Sequence, residues 1–343
     1  MANTVLYWLG TRWTMILWPL PKETFKRRQL MMHESFHRIQ EALGFPLSNP
    51  TCSHLDDPAG RLWLHLEWEA LKKALKASED SVTFHLESAL LFRAQRHRLF
   101  SQADSLETLL EFGEGLAEYT GLALSGRTKA EIREYLQQRI QQTSAIPSFV
   151  RTLAYISVPV YGFFLDQTGW NWRARLSFHR TIDSLLYQAY ELKRPKSISA
   201  ILEERWFIYG GDRIQHQEKQ RAAERRKRLA HYQQIFTQPS VIQIPLHKMN
   251  IQFDPRHVYP LATLGTVNAG TVRISDTWGR LNSSGAILIR PNWKEVWIFA
   301  AEKNPQPQGS LISGDTWILE IRPEWQLVRK TGSSRYQLIF RSR

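Results

Sequence analysis

The sequence predicts an α+β protein in two parts: a short N-terminal β-hairpin leading into a helix-rich region, then a small all-β domain of sandwich or barrel type. Three observations carry this. Apolar residues recur at helical spacing through most of residues 22–192, β-rich runs broken by Gly, Pro, Asn and Ser take over beyond Pro239, and one long basic helical stretch lies between. With 343 residues, 43% of them hydrophobic and 12% aromatic, the chain is too apolar for disorder and long enough for two cores. The boundaries fall at 1–212, 213–238 and 239–343.

Residues 4–9 and 11–18 are rich in β-branched and aromatic side chains, and Gly10 divides them, so they form a hairpin that Pro19 and Pro21 end. From Lys22 to Leu43, Met32, Phe36, Ile39 and Leu43 form an apolar helical stripe, with Gly44 and Pro46 as the stop. Asp57-Pro58 is an N-cap with proline in the first turn, opening a helix to about Ala77. Further helices are expected over roughly 81–101, 104–124, 128–142, 148–165 and 173–192, with turns at Gly126, Pro147 and Gly169. Over 213–236, Lys219, Arg221, Arg225, Arg226, Lys227 and Arg228 describe a solvated connecting helix, closed by Pro239. Strands are expected at 241–246, 271–275, 285–290, 295–300, 316–322 and 335–341.

Composition removes several classes of function. The single cysteine, Cys52, excludes an internal disulfide and every Cys-rich metal arrangement, and it sits in a loop without the His/Asn pattern of a thiol nucleophile. No apolar run spans a bilayer, and Thr4–Leu20, broken by Gly10, Arg12 and Pro19, is not the core of a signal peptide. Cytoplasm is the default expectation, and a leader upstream of this chain stays open. Lys and Arg number 45 against 32 Asp and Glu, a net charge of +13 that favours anionic partners in general. A nucleic acid remains open without any specific signal for it, and steeply salt-dependent affinity is its discriminator. Oligomeric state leaves no trace in the sequence.

The chemistry concentrates at His33-Glu34-Ser35-Phe36-His37, an H-E-x-x-H on an expected helix. Histidines at i and i+4 project from one face, so both imidazoles reach one Zn²⁺ while Glu34 lies beside the open coordination position. A helix with two packed or exposed histidines would look the same, so a second segment is needed. Phe112-Gly-Glu-Gly-Leu-Ala-Glu-Tyr-Thr-Gly121 provides it: Glu114 and Glu118 share a helical face, and two like charges so close call for a cation opposite. Catalytic zinc takes three protein ligands and an open fourth position, which His33, His37 and Glu114 complete. Glu118, one turn on, can accept the free N–H of a ligand histidine and set its tautomer. His65 and Glu69 are also spaced i, i+4 after His54, but lone histidines on a half-apolar helix are more often structural.

These residues resemble the gluzincins, the clan of zinc metallopeptidases that includes thermolysin and aminopeptidase N, over roughly residues 4–125. In that clan a later helix supplies a Glu within Asn-Glu-Gly-Phe-Ala-like or Glu-x-x-x-Asp patterns. Here Glu114-Gly-Leu-Ala matches the first and Glu114…Glu118 approximates the second, with Glu in place of Asp. The gap of 77 positions between His37 and Glu114 holds two extra helices. The resemblance implies a zincin-like domain, a hairpin that lines an extended substrate, and hydrolysis of a peptide or protein with Glu34 as general base. It also implies a further donor to the anionic intermediate. Tyr161 is the first candidate, because Pro159 and Gly162 disturb its helix, with Tyr155 and Tyr119 as competitors. The alternative is a catalytically inactive protein on the same fold that uses the Trp-rich β domain for binding.

Overall fold

The computed structural model describes residues 4–194, 199–238, 240–254, 257–300, 310–330 and 335–341; Pro239, the expected stop of the basic helix, lies outside them. The chain divides into two compact units, Met1–Lys219 and Gln220–Arg343. Among the described residues no helix is long and apolar enough to cross a membrane.

In the first unit, strands β1 (Thr4–Trp8) and β2 (Thr11–Met15) pair antiparallel through the turn Leu9-Gly10, where φ is positive at both residues (49° and 71°), as a tight primed turn requires. The register places Val5, Tyr7, Arg12 and Thr14 on one face and Leu6, Trp8 and Trp13 on the other, with Tyr7 exposed as well as the latter three. Helix α1 (Thr24–Ile39) follows, continues as a 3-10 turn over Glu41–Leu43, and stops at left-handed Gly44.

The buried face of α1 is not the expected apolar stripe. Gln29, His33, Glu34 and Phe36 are buried with Gln40 just beyond, while Ile39 and Leu43 remain 51% and 52% exposed. A close approach by a later helix explains the displacement. In α5 (Leu116–Ala123), a Cβ on Gly121 would come within 2.5 Å of the Gln29 carbonyl oxygen and 3.2 Å of the His33 Cβ, so only glycine lets α5 lie directly beneath the histidines.

Helix α2 (Pro58–Ala74) starts as expected, with the Asp57 side chain accepting from Ala59 N at 2.8 Å, and it packs along α3 (Glu79–Leu99). The single helix expected over 104–124 is three pieces: α4 (Ala103–Leu110), a π-helical turn Glu111–Gly115, and α5. Helix α6 (Lys129–Gln141) opens on a capping box between Thr128 and Glu131. Helix α7 (Thr152–Gln167) runs through Pro159, and Gly115 allows it to close on the π turn, since a Cβ there would meet the Val158 side chain at 2.5 Å. Over 173–192 only a 3-10 turn, Arg173–Arg175, and α8 (Ile182–Ala189) form, and α9 (Ser199–Ile208) comes in addition.

The basic stretch is one helix, α10 (Gly211–Thr237), but it is solvated on one side only. Ile214 and Glu218 are buried in the first unit, where Glu218 accepts from Arg61 Nε at 2.9 Å; Phe236 is buried with Val241, Val267 and Leu288 in the second. In the second unit Leu229, Tyr232 and Ile235, a helical turn apart among the charges, pack against the same cluster.

The second unit is all β. One sheet has the order β13 (Trp325–Arg329), β14 (Tyr336–Phe340), β3 (Val241–Pro245), β10 (Glu295–Phe299), β9 (Ile287–Ile289), β6 (Gly265–Asn268), β5 (Val258–Leu261). The other has the order β11 (Leu311–Ser313), β12 (Trp317–Ile321), β8 (Gly279–Ser283), β7 (Val272–Asp276), β4 (Asn250–Phe253). Only β14 and β3 pair parallel among the described strands. Ile242, Val296, Leu281 and Leu319 from both sheets share a core around Trp278, as in a sandwich. Replacing Gly121 by Val should push α5 off α1 and lower stability by about 1–3 kcal/mol, read by denaturant unfolding.

Candidate metal centre

Helix α1 delivers both histidines to one side, one turn apart, and their Nε2 atoms face each other at 3.2 Å. Each outer nitrogen has an acceptor. His33 Nδ1 lies 3.0 Å from Glu118 Oε2, and His37 Nδ1 lies 2.9 Å from Gln40 Oε1. The Gln40 orientation is set independently, because its amide nitrogen donates to the Pro46 carbonyl at 2.6 Å and to that of Phe112 at 3.4 Å. Both Nδ1 atoms therefore carry the proton, and both Nε2 lone pairs point into the same space. Neutral imidazoles so arranged repel, and a cation between them removes the repulsion.

The third group comes from the π turn. Glu114 Oε2 lies 3.8 Å from His33 Nε2, and ligand atoms of His33, His37 and Glu114 all fall within 4.8 Å of one another. Arg151 donates to Glu114 Oε1 at 2.8 Å and Tyr155 donates to Oε2, so the carboxylate is aimed from behind. Glu114 and Glu118 thus address opposite nitrogens of one imidazole. Burial holds the His33 pKa down, but the hydrogen bond to Glu118 and the charges of Glu118, Glu34 and Glu114 outweigh it, leaving His33 above its ordinary value. Tyr155, stacked on His33 at 5.9 Å, is pushed up by burial and then by Glu114, so it stays a proton donor across the neutral range.

A groove of about 700 Å³ runs over this cluster, walled by Val5, Tyr7 and Arg12 of the hairpin and by Glu34, Asn49 and Tyr155. The hairpin is held to the site helix, since Thr14 Oγ1 donates to the Glu34 carbonyl at 3.3 Å.

No family model, curated protein or solved structure matches this chain. The cluster itself has the gluzincin pattern. His33, Glu34 and His37 with Glu114 match the H-E-x-x-H plus downstream Glu zinc-binding motif typical of gluzincin peptidases.

Two tyrosines considered as oxyanion donors lie elsewhere. Tyr161 is fully buried and donates to Glu67 Oε1 at 2.9 Å, inside a core network in which Arg93 and Arg96 also meet Glu67, at 3.3 and 2.8 Å. It does not line the groove, because α7 turns this face toward α2 and α3 rather than toward α1. Tyr119 donates to Asp166 Oδ2 at 2.7 Å, its ring seated where Gly162 leaves room. The rival His65/Glu69 pair separates, with His65 against Glu218 at 3.3 Å and Glu69 against Lys72 at 3.1 Å. His54 and His97 both meet Glu107, at 2.8 and 2.9 Å.

Gln40, Arg151 and Gln29 are the residues that sequence reasoning missed. Gln29 donates to Glu118 Oε1 at 2.9 Å and so steadies the partner of His33. Gln29 and Gln40 lie on the His33 face of α1 at helical spacing, a signal hidden because polar side chains are assumed to face water.

Gln40→Leu and Glu118→Gln should each weaken divalent-metal binding about 10–100-fold, measured by competition with a chromogenic chelator. Burial, then the charges of Glu107 and Glu111, push the Cys52 thiol up to about 12. Alkylation at pH 8 should accordingly leave native protein unmodified and label it only after unfolding.

Proposed function

We propose that this chain is a zinc-dependent peptidase in which His33, His37 and Glu114 hold the ion and Glu34 is the general base. The observation that carries this reading is the pair of imidazole nitrogens 3.2 Å apart with their outer nitrogens already committed. Two nitrogens bound to zinc at about 2.0–2.1 Å with a tetrahedral angle lie about 3.3 Å apart, so the two histidines fit the ion as they stand, and Glu114 closes on it by a small movement of its side chain. A zinc ion there would polarise a substrate carbonyl and bring water into the neutral titration range.

The protein's own groups do the rest. Glu34 follows His33 directly and lines the groove. Its carboxylate takes a proton from the attacking water and hands it to the leaving amine. Tyr155 is placed for the role considered for Tyr161: it lines the same space as Glu34, and its hydroxyl, which donates to Glu114 Oε2, would turn from that carboxylate to the oxyanion as charge develops there. Glu118 and Gln40 keep the two imidazoles in the tautomer that leaves Nε2 free. The hairpin residues Val5, Tyr7 and Arg12 line the groove beside Glu34, which suits an extended peptide or protein segment lying along the hairpin.

The test is metal analysis combined with cleavage of quenched peptides or casein. Wild type should hold one zinc and cleave; Glu34→Gln should keep the zinc and lose turnover by about 10²–10⁴-fold. Tyr155→Phe should lower kcat about 10²–10³-fold. Tyr161→Phe should instead lower stability by about 1 kcal/mol and leave kcat near wild type. Protein without zinc affinity, or undiminished cleavage by Glu34→Gln, rejects the reading.

A further inference from the structure

The space over Glu34 does not end with the groove walled by the hairpin. A second cavity of about 440 Å³ shares His33, Glu34 and Tyr155 with it and is completed by Lys26, Leu30, Tyr135 and Arg139. Its charged lining is unequally occupied. Both oxygens of Glu118 are engaged, Oε2 by His33 and Oε1 by Gln29. Lys26 is paired with Glu23 at 2.7 Å on the rim. Arg139, on α6, makes no hydrogen bond or ion pair among the described residues, and its Nε is buried without a partner.

An unpartnered buried guanidinium N–H is unfavourable, because the group remains charged and has lost water at that nitrogen. Solvent does not reach this Nε, so a ligand in the cavity meets the terminal nitrogens of the half-buried Arg139 side chain, which also have no partner among the described residues. The group that satisfies the open end of such a side chain is a carboxylate, which accepts from the two terminal N–H groups side by side. We infer that Arg139 recognises a carboxylate of the substrate, and that the substrates are peptides presenting one, from an acidic side chain or a free C-terminus, close to the cleaved bond. The inference rests on the peptidase reading for what occupies the groove, because a peptide lying across Glu34 continues from the first cavity into the second.

The probes are quenched peptides of one neutral sequence, prepared with a free or an amidated C-terminus and with Glu or Gln moved through the positions flanking the cut. Wild type should prefer one carboxylate-bearing series by about tenfold or more in kcat/KM, and the series preferred identifies the source. In Arg139→Gln the ratio of carboxylate to neutral peptide should fall toward one, while Arg139→Lys, which keeps the charge without the fork, should retain part of it. Melting temperature and metal content of each variant show whether it is folded. Equal rates across the wild-type set, or a ratio that survives in Arg139→Gln, overturn the inference. If nothing is cleaved, the peptidase reading fails separately, and fluorescence anisotropy of the same peptides still decides: tighter binding of a carboxylate series, lost in Arg139→Gln, upholds the inference, and equal or absent binding overturns it.

Discussion

Two imidazole lone pairs directed at each other across 3.2 Å are the constraint on which the helical unit is organised. The arrangement persists only if each outer nitrogen is held by an acceptor, and those acceptors come from different places. Glu118 reaches across from α5, and Gln40 reaches back from the end of α1. Gln40 also donates to the Phe112 carbonyl, so the residue that orients His37 touches the π turn carrying Glu114. The helix end and the third member of the cluster are thereby positioned together.

The π turn is anchored from the other side as well. Arg93 bonds Glu111 at the start of the turn and also meets Glu67, and Arg96 joins Glu67 to Glu107. Removing one member of such a buried network leaves an uncompensated charge, so its geometry is held firmly even where its net contribution to stability is small. π turns recur at functional sites because the widened turn re-aims side chains. Here Glu111 faces the core network while Glu114 faces the histidines.

Local signals in the sequence were the readable ones. The hairpin divided at Gly10, the Asp57-Pro58 helix start and the i, i+4 histidines each depend on residues a few positions apart, and each stands in the structure, the turn taking in Leu9 as well. The change from helical to β texture was readable for the same reason. What escaped depends on distant packing. The buried face of α1 is polar because Gly121 brings α5 against Gln29 and His33, which the spacing of Met32, Ile39 and Leu43 does not reveal. The π turn has nearly the apolar periodicity of a continuous helix. Which of Tyr155 and Tyr161 lines the groove depends on the rotation of α7, which turns Tyr161 into the buried Glu67 network.

The most direct measurement is anomalous diffraction at the zinc edge from crystals grown with zinc. One strong peak within about 2.0–2.2 Å of His33 Nε2, His37 Nε2 and a Glu114 oxygen is the predicted result. A zinc bound elsewhere, or none at this cluster with the two imidazoles turned apart, would contradict the account.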